Sequence, residues 1–282
     1  MASALELLDR RVVEAAKKLG YKALLPIQEK AIPVVLRGSH ALIVAPTGSG
    51  KTEAAVFPVL SMMLERFQPG DGTVKAIYIT PLRSLNRDVT LRVSRIVEAV
   101  GFTAALRHGD SPSSIRRKFL QSPPDFMVTT PETLNLLLTL RDRRSMWSQV
   151  SFVIVDELQE VIDNKRGSEL SVLLERIDEA SESRVQRIGL SATLSPRSVS
   201  AAKDVLAYGR RVEVVEDKGE RRYRVSVVVA DPVNDDFLLG AASTISEIVK
   251  DVDGSALVFT NTRSVAERLG SILSKQLGGK VM

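Results

Sequence analysis

Apolar positions fall into two rhythms along this chain. Short continuous runs rich in Val and Ile occupy His40–Ala45, Val74–Ile79, Thr103–Arg107, Phe126–Thr129, Phe152–Val155 and Arg187–Leu190. Runs of this length, without a polar residue at every second place, predict strands buried on both faces. Between them, apolar residues recur at helical spacing over Lys51–Phe67, Ser84–Val100, Ser113–Gln121, Glu132–Leu140 and Gly167–Ala180. Pro58 predicts a kink in the first of these helices, because it removes a backbone donor. Strand and helix alternate, so the fold class is α/β, a doubly wound parallel sheet. Ligands of such sheets sit outside the carboxyl ends of the strands. Each unusual polar cluster of the sequence follows one of the six strands and is therefore expected at one edge of one sheet.

The pattern changes after Tyr208–Gly209. Residues 210–224 are charged, with Arg221, Arg222 and Arg224 close together. The expected organisation is a first domain over 1–208, a linker over 209–223, and an incomplete second domain over 224–282. The second domain should hold strands at Arg224–Ala230 and Ser255–Thr260 and helices near Asp236–Lys250 and Thr262–Gln276.

Composition narrows the class. Hydrophobic residues make up 44% of the 282 positions, enough for a packed core. Cysteine is absent, which excludes disulfide frameworks and Cys-ligated zinc. The formal net charge of +5 suits a polyanionic partner. No run approaches the roughly 18 apolar residues of a membrane span. The start of the chain lacks a basic segment followed by a long apolar one, so no signal peptide is expected. The expected location is cytoplasmic, associated with the nucleoid in a prokaryote.

Two clusters carry chemistry. The first is Ala45-Pro46-Thr47-Gly48-Ser49-Gly50-Lys51-Thr52, between the first strand and its helix. Gly48 and Gly50 let the backbone curl so that its N–H groups face a phosphate. The helix N-terminus adds partial positive charge. Lys51 can reach the β- and γ-phosphates of ATP, and the Thr52 hydroxyl can bind Mg2+. Ala45 stands where such loops usually begin with Gly. The second cluster is Asp156-Glu157, at the end of an apolar strand. An Asp there can hold the metal, and the adjacent Glu can activate a water.

With Gln28, Pro81-Leu82-Arg83, Thr130-Pro131-Glu132, Asp156-Glu157-Leu158-Gln159 and Ser191-Ala192-Thr193 in this order, the chain resembles a superfamily 2 helicase. Within that group it resembles the large helicase-related (Lhr-type) subfamily, on Tyr78–Asn86, Arg107–Pro112 and Asn164–Gly167. The resemblance implies a RecA-like P-loop domain followed by the start of a second RecA-like domain. It implies a helicase or translocase using ATP and Mg2+ on single-stranded DNA or RNA, or on a duplex with a single-stranded end. Gln28 then matches the residue that reads the adenine edge, although after Pro26 it could simply start a helix. Ser191, Ala192 and Thr193 match the motif linking hydrolysis to domain movement, although either hydroxyl could cap the helix expected near Pro196. Pro81, Arg83, Gly109, Thr130 and Pro131 match positions that hold a strand by its phosphates. Gln159 departs from the usual His or Asp and could bond toward Ser191 or Thr193. The family's arginine finger has no match between Arg210 and Met282, which implies slow hydrolysis by this chain alone. An alternative reading is a nucleotide-gated binding module without unwinding activity.

Overall fold

The computed structural model describes residues 3–80, 86–107, 117, 119–192, 194–219, 225–252 and 254–278. The chain divides into two compact units, Met1–Glu220 and Arg221–Met282. In the first unit, helices α1 (Arg10–Lys18) and α2 (Pro26–Leu36) precede β1 (His40–Val44) and α3 (Lys51–Arg66). Then follow β2 (Ala76–Ile79), α4 (Asn86–Ala99), β3 (Ala104–Arg107), β4 (Phe126–Thr129) and α5 (Pro131–Leu138). The unit closes with β5 (Phe152–Val155), α6 (Lys165–Ala180), β6 (Gln186–Ser191), α7 (Pro196–Ala207) and β7 (Val212–Glu216).

The strands form one parallel sheet in the order β3-β4-β2-β5-β6-β1-β7. Its interior strands are buried along their whole length, as the unbroken apolar runs require. One face packs Ile43, Tyr78, Val128 and Ile154 against Ala55, Val59 and Ile96 of α3 and α4. The other packs Leu42, Ile77, Met127 and Val153 against Leu134, Leu174 and Leu206 of α5, α6 and α7. Trp147 lies in that second layer and is a packing residue. Fully burying each such side chain contributes about 1.5–3 kcal/mol. The six expected strands all form, and α3 runs unbroken through Pro58. The expected helix Ser113–Gln121 lies largely outside the described residues.

The expected linker over 209–223 needs correction. Val212–Glu216 is a strand that pairs in parallel with β1 at the sheet edge. Its charges masked it, for an edge strand buries only part of one face: Val212 and Val215 are covered while Val214 and Glu216 face solvent. The first unit accordingly extends past residue 208.

In the second unit, helices α8 (Phe237–Lys250) and α9 (Arg263–Gln276) pack through Ala242, Leu269 and Leu273. The Ser246 hydroxyl donates to Gln276 Oε1 at 2.6 Å. The strands expected at Arg224–Ala230 and Ser255–Thr260 do not form among the described residues 225–230 and 255–260. Val225, Val227, Val229, Leu257 and Phe259 are exposed instead. An isolated strand pair is marginal in water, and parallel pairing is less stable per residue than antiparallel.

Candidate functional site

The turn from β1 into α3 is built on two left-handed glycines, Gly48 at φ 77° and Gly50 at φ 87°. Gly50 also has no room for a side chain. A Cβ there would overlap the Gln28 amide nitrogen and come within 2.8 Å of Leu25 Cδ1. Gln28 is buried and folded back onto its own helix start: its Oε1 accepts from the Leu25 N–H at 2.8 Å, and its Nε2 donates to the Gly50 carbonyl at 3.1 Å. It therefore both starts α2 and fastens α2 to the loop. Lys51 Nζ donates to the Ala45 carbonyl at 2.7 Å and the Pro46 carbonyl at 3.1 Å, so the ammonium lies over the loop. The Ser49 hydroxyl oxygen is buried without a hydrogen-bond partner among the described residues. Left-handed glycines, an ammonium over the turn and an orphaned buried hydroxyl fit the phosphates of a nucleotide.

The acidic pair sits at the carboxyl end of β5. Asp156 is buried, and both its oxygens are engaged: Oδ2 accepts from the Tyr78 hydroxyl at 2.6 Å and Oδ1 from the Glu157 N–H at 2.9 Å. Burial pushes the Asp156 carboxyl above its usual range. Burial, with the Asp156 charge beside it, pushes the Tyr78 hydroxyl well above its usual value, so Tyr78 keeps its proton and donates. Glu157 adopts a left-handed backbone, φ 45° and ψ 46°, uncommon for a residue with a side chain. Such local strain of about 1–3 kcal/mol persists only where surrounding contacts impose it. Here it separates the two carboxylates, leaving Asp156 buried and Glu157 half-buried.

Gln159 ties this pair to the next strand. Its Oε1 accepts from the Ser191 hydroxyl at 2.7 Å and from the Ala192 N–H at 3.0 Å, while its Nε2 donates to Glu157 Oε2. Ser191 does not cap the helix that follows; Ser195 does, accepting from the Ser198 N–H at 3.2 Å. The Ser191 carbonyl accepts from the Ala45 N–H at 3.1 Å. Because β6 lies between β1 and β5, Ser191 stands between the loop and the acidic pair and touches both sides.

The remaining matched positions, those expected to hold a strand and Thr193 of the coupling motif, are only partly placed. Pro81, Arg83, Gly109 and Thr193 lie outside the described residues. Thr130 is buried, and its hydroxyl caps α5 by accepting from the Thr133 N–H at 3.4 Å, with Pro131 opening the helix. The Thr130 side chain is thus committed to the helix start. Arg166, next to the cap Asn164 of α6, pairs with Glu132 at 3.0 Å and joins two of the matched stretches.

Sequence reasoning did not single out Tyr78, Glu53 or Arg92. Tyr78 is buried in β2 with its hydroxyl at the carboxyl edge of the sheet. Arg92 Nη2 of α4 donates to the Thr52 hydroxyl at 2.9 Å, and its Nε lies 3.3 Å from Glu53 Oε1. Tyr21 also donates to Glu53, at 3.0 Å. A phenol inside an otherwise aliphatic strand is the only sequence signal for the first. Nothing local marks the others, since their partners are 32 to 40 residues away.

Comparison with known proteins places this geometry. A family model described as DEAD/DEAH box helicase matches residues 25–202. The Lhr helicase/probable uracil glycosylase of Mycolicibacterium smegmatis is 35% identical over 268 residues, covering 89% of this chain and 18% of that protein. The ATP-dependent helicase Lhr-Core of Methanocaldococcus jannaschii is 32% identical over 294 residues, covering 97% of this chain and 34% of that protein. The chain thus spans about a third or less of the length of these curated relatives. The solved structure of Mycobacterium smegmatis helicase Lhr bound to ssDNA and AMP-PNP matches with a TM-score of 0.84 at 30% identity, over 98% of this chain and 37% of that one. The DEAD-box helicase Mss116 bound to ssRNA and UDP-BeF shares the fold, with a TM-score of 0.80 at 20% identity.

Proposed function

The chain belongs to the DEAD/DEAH box helicase family, and we propose that it is the nucleotide-binding motor portion of an ATP-dependent helicase or translocase that grips a single nucleic-acid strand. The observation that carries this reading is Gln159. It bonds Glu157 of the acidic pair with one end of its amide and Ser191 and Ala192 with the other. A rearrangement at the γ-phosphate then has a direct hydrogen-bonded route to the segment after β6. The Gln159 departure from the usual His or Asp keeps that link.

Each matched residue has a role in the proposal. Backbone N–H groups of residues 47–52 and the Lys51 ammonium hold the β- and γ-phosphates. Gln28 braces the loop from the side where the resemblance places the adenine. Thr52 and Asp156 hold the cation, and Glu157 takes the proton of the attacking water. A bound Mg2+ would neutralise phosphate charge. No group of three His, Cys, Asp or Glu among the described residues could cage a metal. Two protein oxygens completed by phosphates is the arrangement Mg2+ commonly takes. Pro81, Arg83, Gly109, Thr130 and Pro131 are proposed to line the strand path, with Thr130 contributing backbone, since its hydroxyl caps α5. No described helix is long and apolar enough to cross a membrane.

A fluorescent ATP analogue should bind this chain, and Lys51→Ala should weaken it about 10- to 100-fold, the scale of hydrogen bonds to a charged group. Unchanged affinity would remove Lys51 from the site. Hydrolysis with and without single strands, in this chain and in one extended to the relatives' length, tests the motor reading. Stimulation in the longer chain supports a motor. Strand binding without turnover favours a nucleotide-gated binding module.

A further inference from the structure

Tyr78 is the one side chain that reaches the acidic pair from β2, the strand on the far side of β5 from β6. Its ring belongs to the core layer beneath α3 and is fully buried, so packing fixes its direction. Only the hydroxyl reaches the sheet edge. The Asp156 carboxylate is thereby pinned at both oxygens, by a phenol on one and a backbone N–H on the other. Each carboxylate oxygen offers two acceptor sites, so one direction on each is left for a further partner.

The other proposed cation ligand, Thr52, is held separately: its hydroxyl oxygen accepts from Arg92 Nη2 at 2.9 Å. Arg92 is held in turn by Glu53 at 3.3 Å, and Glu53 by Tyr21 at 3.0 Å. Two separate hydrogen bonds, Arg92–Thr52 and Tyr78–Asp156, thus tie α4 to α3 and β2 to the end of β5.

We propose that Tyr78 is a positioning residue that aims the cation-holding carboxylate of Asp156. The inference rests on the ATP-site reading above and adds to it a side chain that holds one of the ligands while touching neither nucleotide nor metal. Groups that orient metal ligands in this way typically contribute about 10- to 100-fold to metal affinity. Tyr78→Phe keeps the ring and its packing and removes only the oxygen.

The test is nucleotide binding by the full chain as a function of Mg2+, with a non-hydrolysable ATP analogue, alongside the same titration in EDTA. Tyr78→Phe should raise the Mg2+ concentration for half-maximal binding about tenfold or more, while affinity in EDTA stays that of the unaltered chain. Mn2+ bound in the nucleotide complex, counted by its paramagnetic resonance signal, should fall in parallel. In an Asp156→Asn background, adding Tyr78→Phe should cause much less further loss. An equal Mg2+ requirement in Tyr78→Phe and the unaltered chain would overturn the inference and leave the ATP-site reading standing. So would a loss of affinity equal with and without Mg2+, which marks general damage to the loop. No metal-dependent binding by the unaltered chain would overturn the reading and the inference together.

Discussion

At the amino ends of the strands, buried charges are paired with charges of opposite sign. Lys75, fully buried before β2, donates to Asp125 Oδ1 at 2.8 Å, to the Thr73 carbonyl at 3.0 Å and to Asp71. Asp125 also accepts from the Gly70 N–H at 2.9 Å and from the N–H and hydroxyl of Thr103 at 2.8 and 2.7 Å. Nearby, Arg187 lies within 2.9 Å of both Glu175 and Asp178. At the carboxyl ends, the buried carboxylate Asp156 is held by a hydroxyl and an N–H, neither of them a cation. One sheet thus buries charge at both ends and treats it differently. Where anion meets cation, the result is a fixed structure. Where the anion meets only neutral donors, its negative field stays available to a cation from outside.

Three changes would break or sharpen that contrast, taken from the largest effect to the smallest. Glu157→Gln keeps the shape of the carboxyl end and removes the group proposed to take a proton. In a chain carrying the whole two-domain motor, turnover should fall about 10²- to 10⁴-fold with nucleotide affinity kept. Normal hydrolysis by that variant would show that the carboxyl end owes its chemistry to another group.

Lys75→Met makes the opposite cut. It leaves Asp125 buried without its cation, a loss of about 3–5 kcal/mol in comparable buried pairs. For a unit of this size that lowers Tm by about 6–20 °C. Nucleotide affinity below the transition should be unchanged. A variant that melts normally, or that loses nucleotide binding while folded, would dissolve the division between the two ends.

The smallest effect is a pH slope. Burial, aided by Arg187, lowers His40 from 6.5 to about 4, and its Nδ1 accepts from the Arg187 N–H at 3.0 Å. A neutral His40 stabilises the fold fully above pH 6.5, and that contribution disappears as pH falls from 6.5 to 4. Asp125 follows in more acid solution. Burial raises its carboxyl, yet Lys75 and the N–H groups outweigh that and hold it below its usual value. Its contribution is present above its unfolded value near pH 3.8 and disappears below it. Melting from pH 7.5 to 4.5 should therefore fall more steeply in the unaltered chain than in His40→Gln. Parallel slopes would remove His40 from the account.

The carboxyl end was far more legible in the sequence than the amino end. Gly48, Gly50, Lys51 and Thr52 fall within one short run and Asp156 and Glu157 within another, and phosphate and metal chemistry demands those residue types at that spacing within each run. Lys75 and Asp125 are 50 residues apart, and His40 and Arg187 are 147 apart. No local pattern announces such pairs. The strand β7 escaped for a related reason, because an edge strand can be half charged and still complete a sheet.

The sequence by itself determined the order and type of the interior elements, since apolar periodicity is a local consequence of which faces must leave water. It also determined the phosphate loop and the acidic pair, whose chemistry is written in contiguous residues. Tertiary structure alone decided three further things. Gln28 braces the loop through the Gly50 carbonyl, because no Cβ at Gly50 keeps them apart. Gln159 closes the gap between the acidic pair and Ser191, because β6 is inserted beside β5. Tyr78 reaches Asp156, because parallel pairing sets β2 against β5 with the phenol two residues short of the edge. The first is a matter of how a helix packs on the loop; the other two are a matter of which strand lies beside which, and that order is settled by how both faces of the whole sheet are covered.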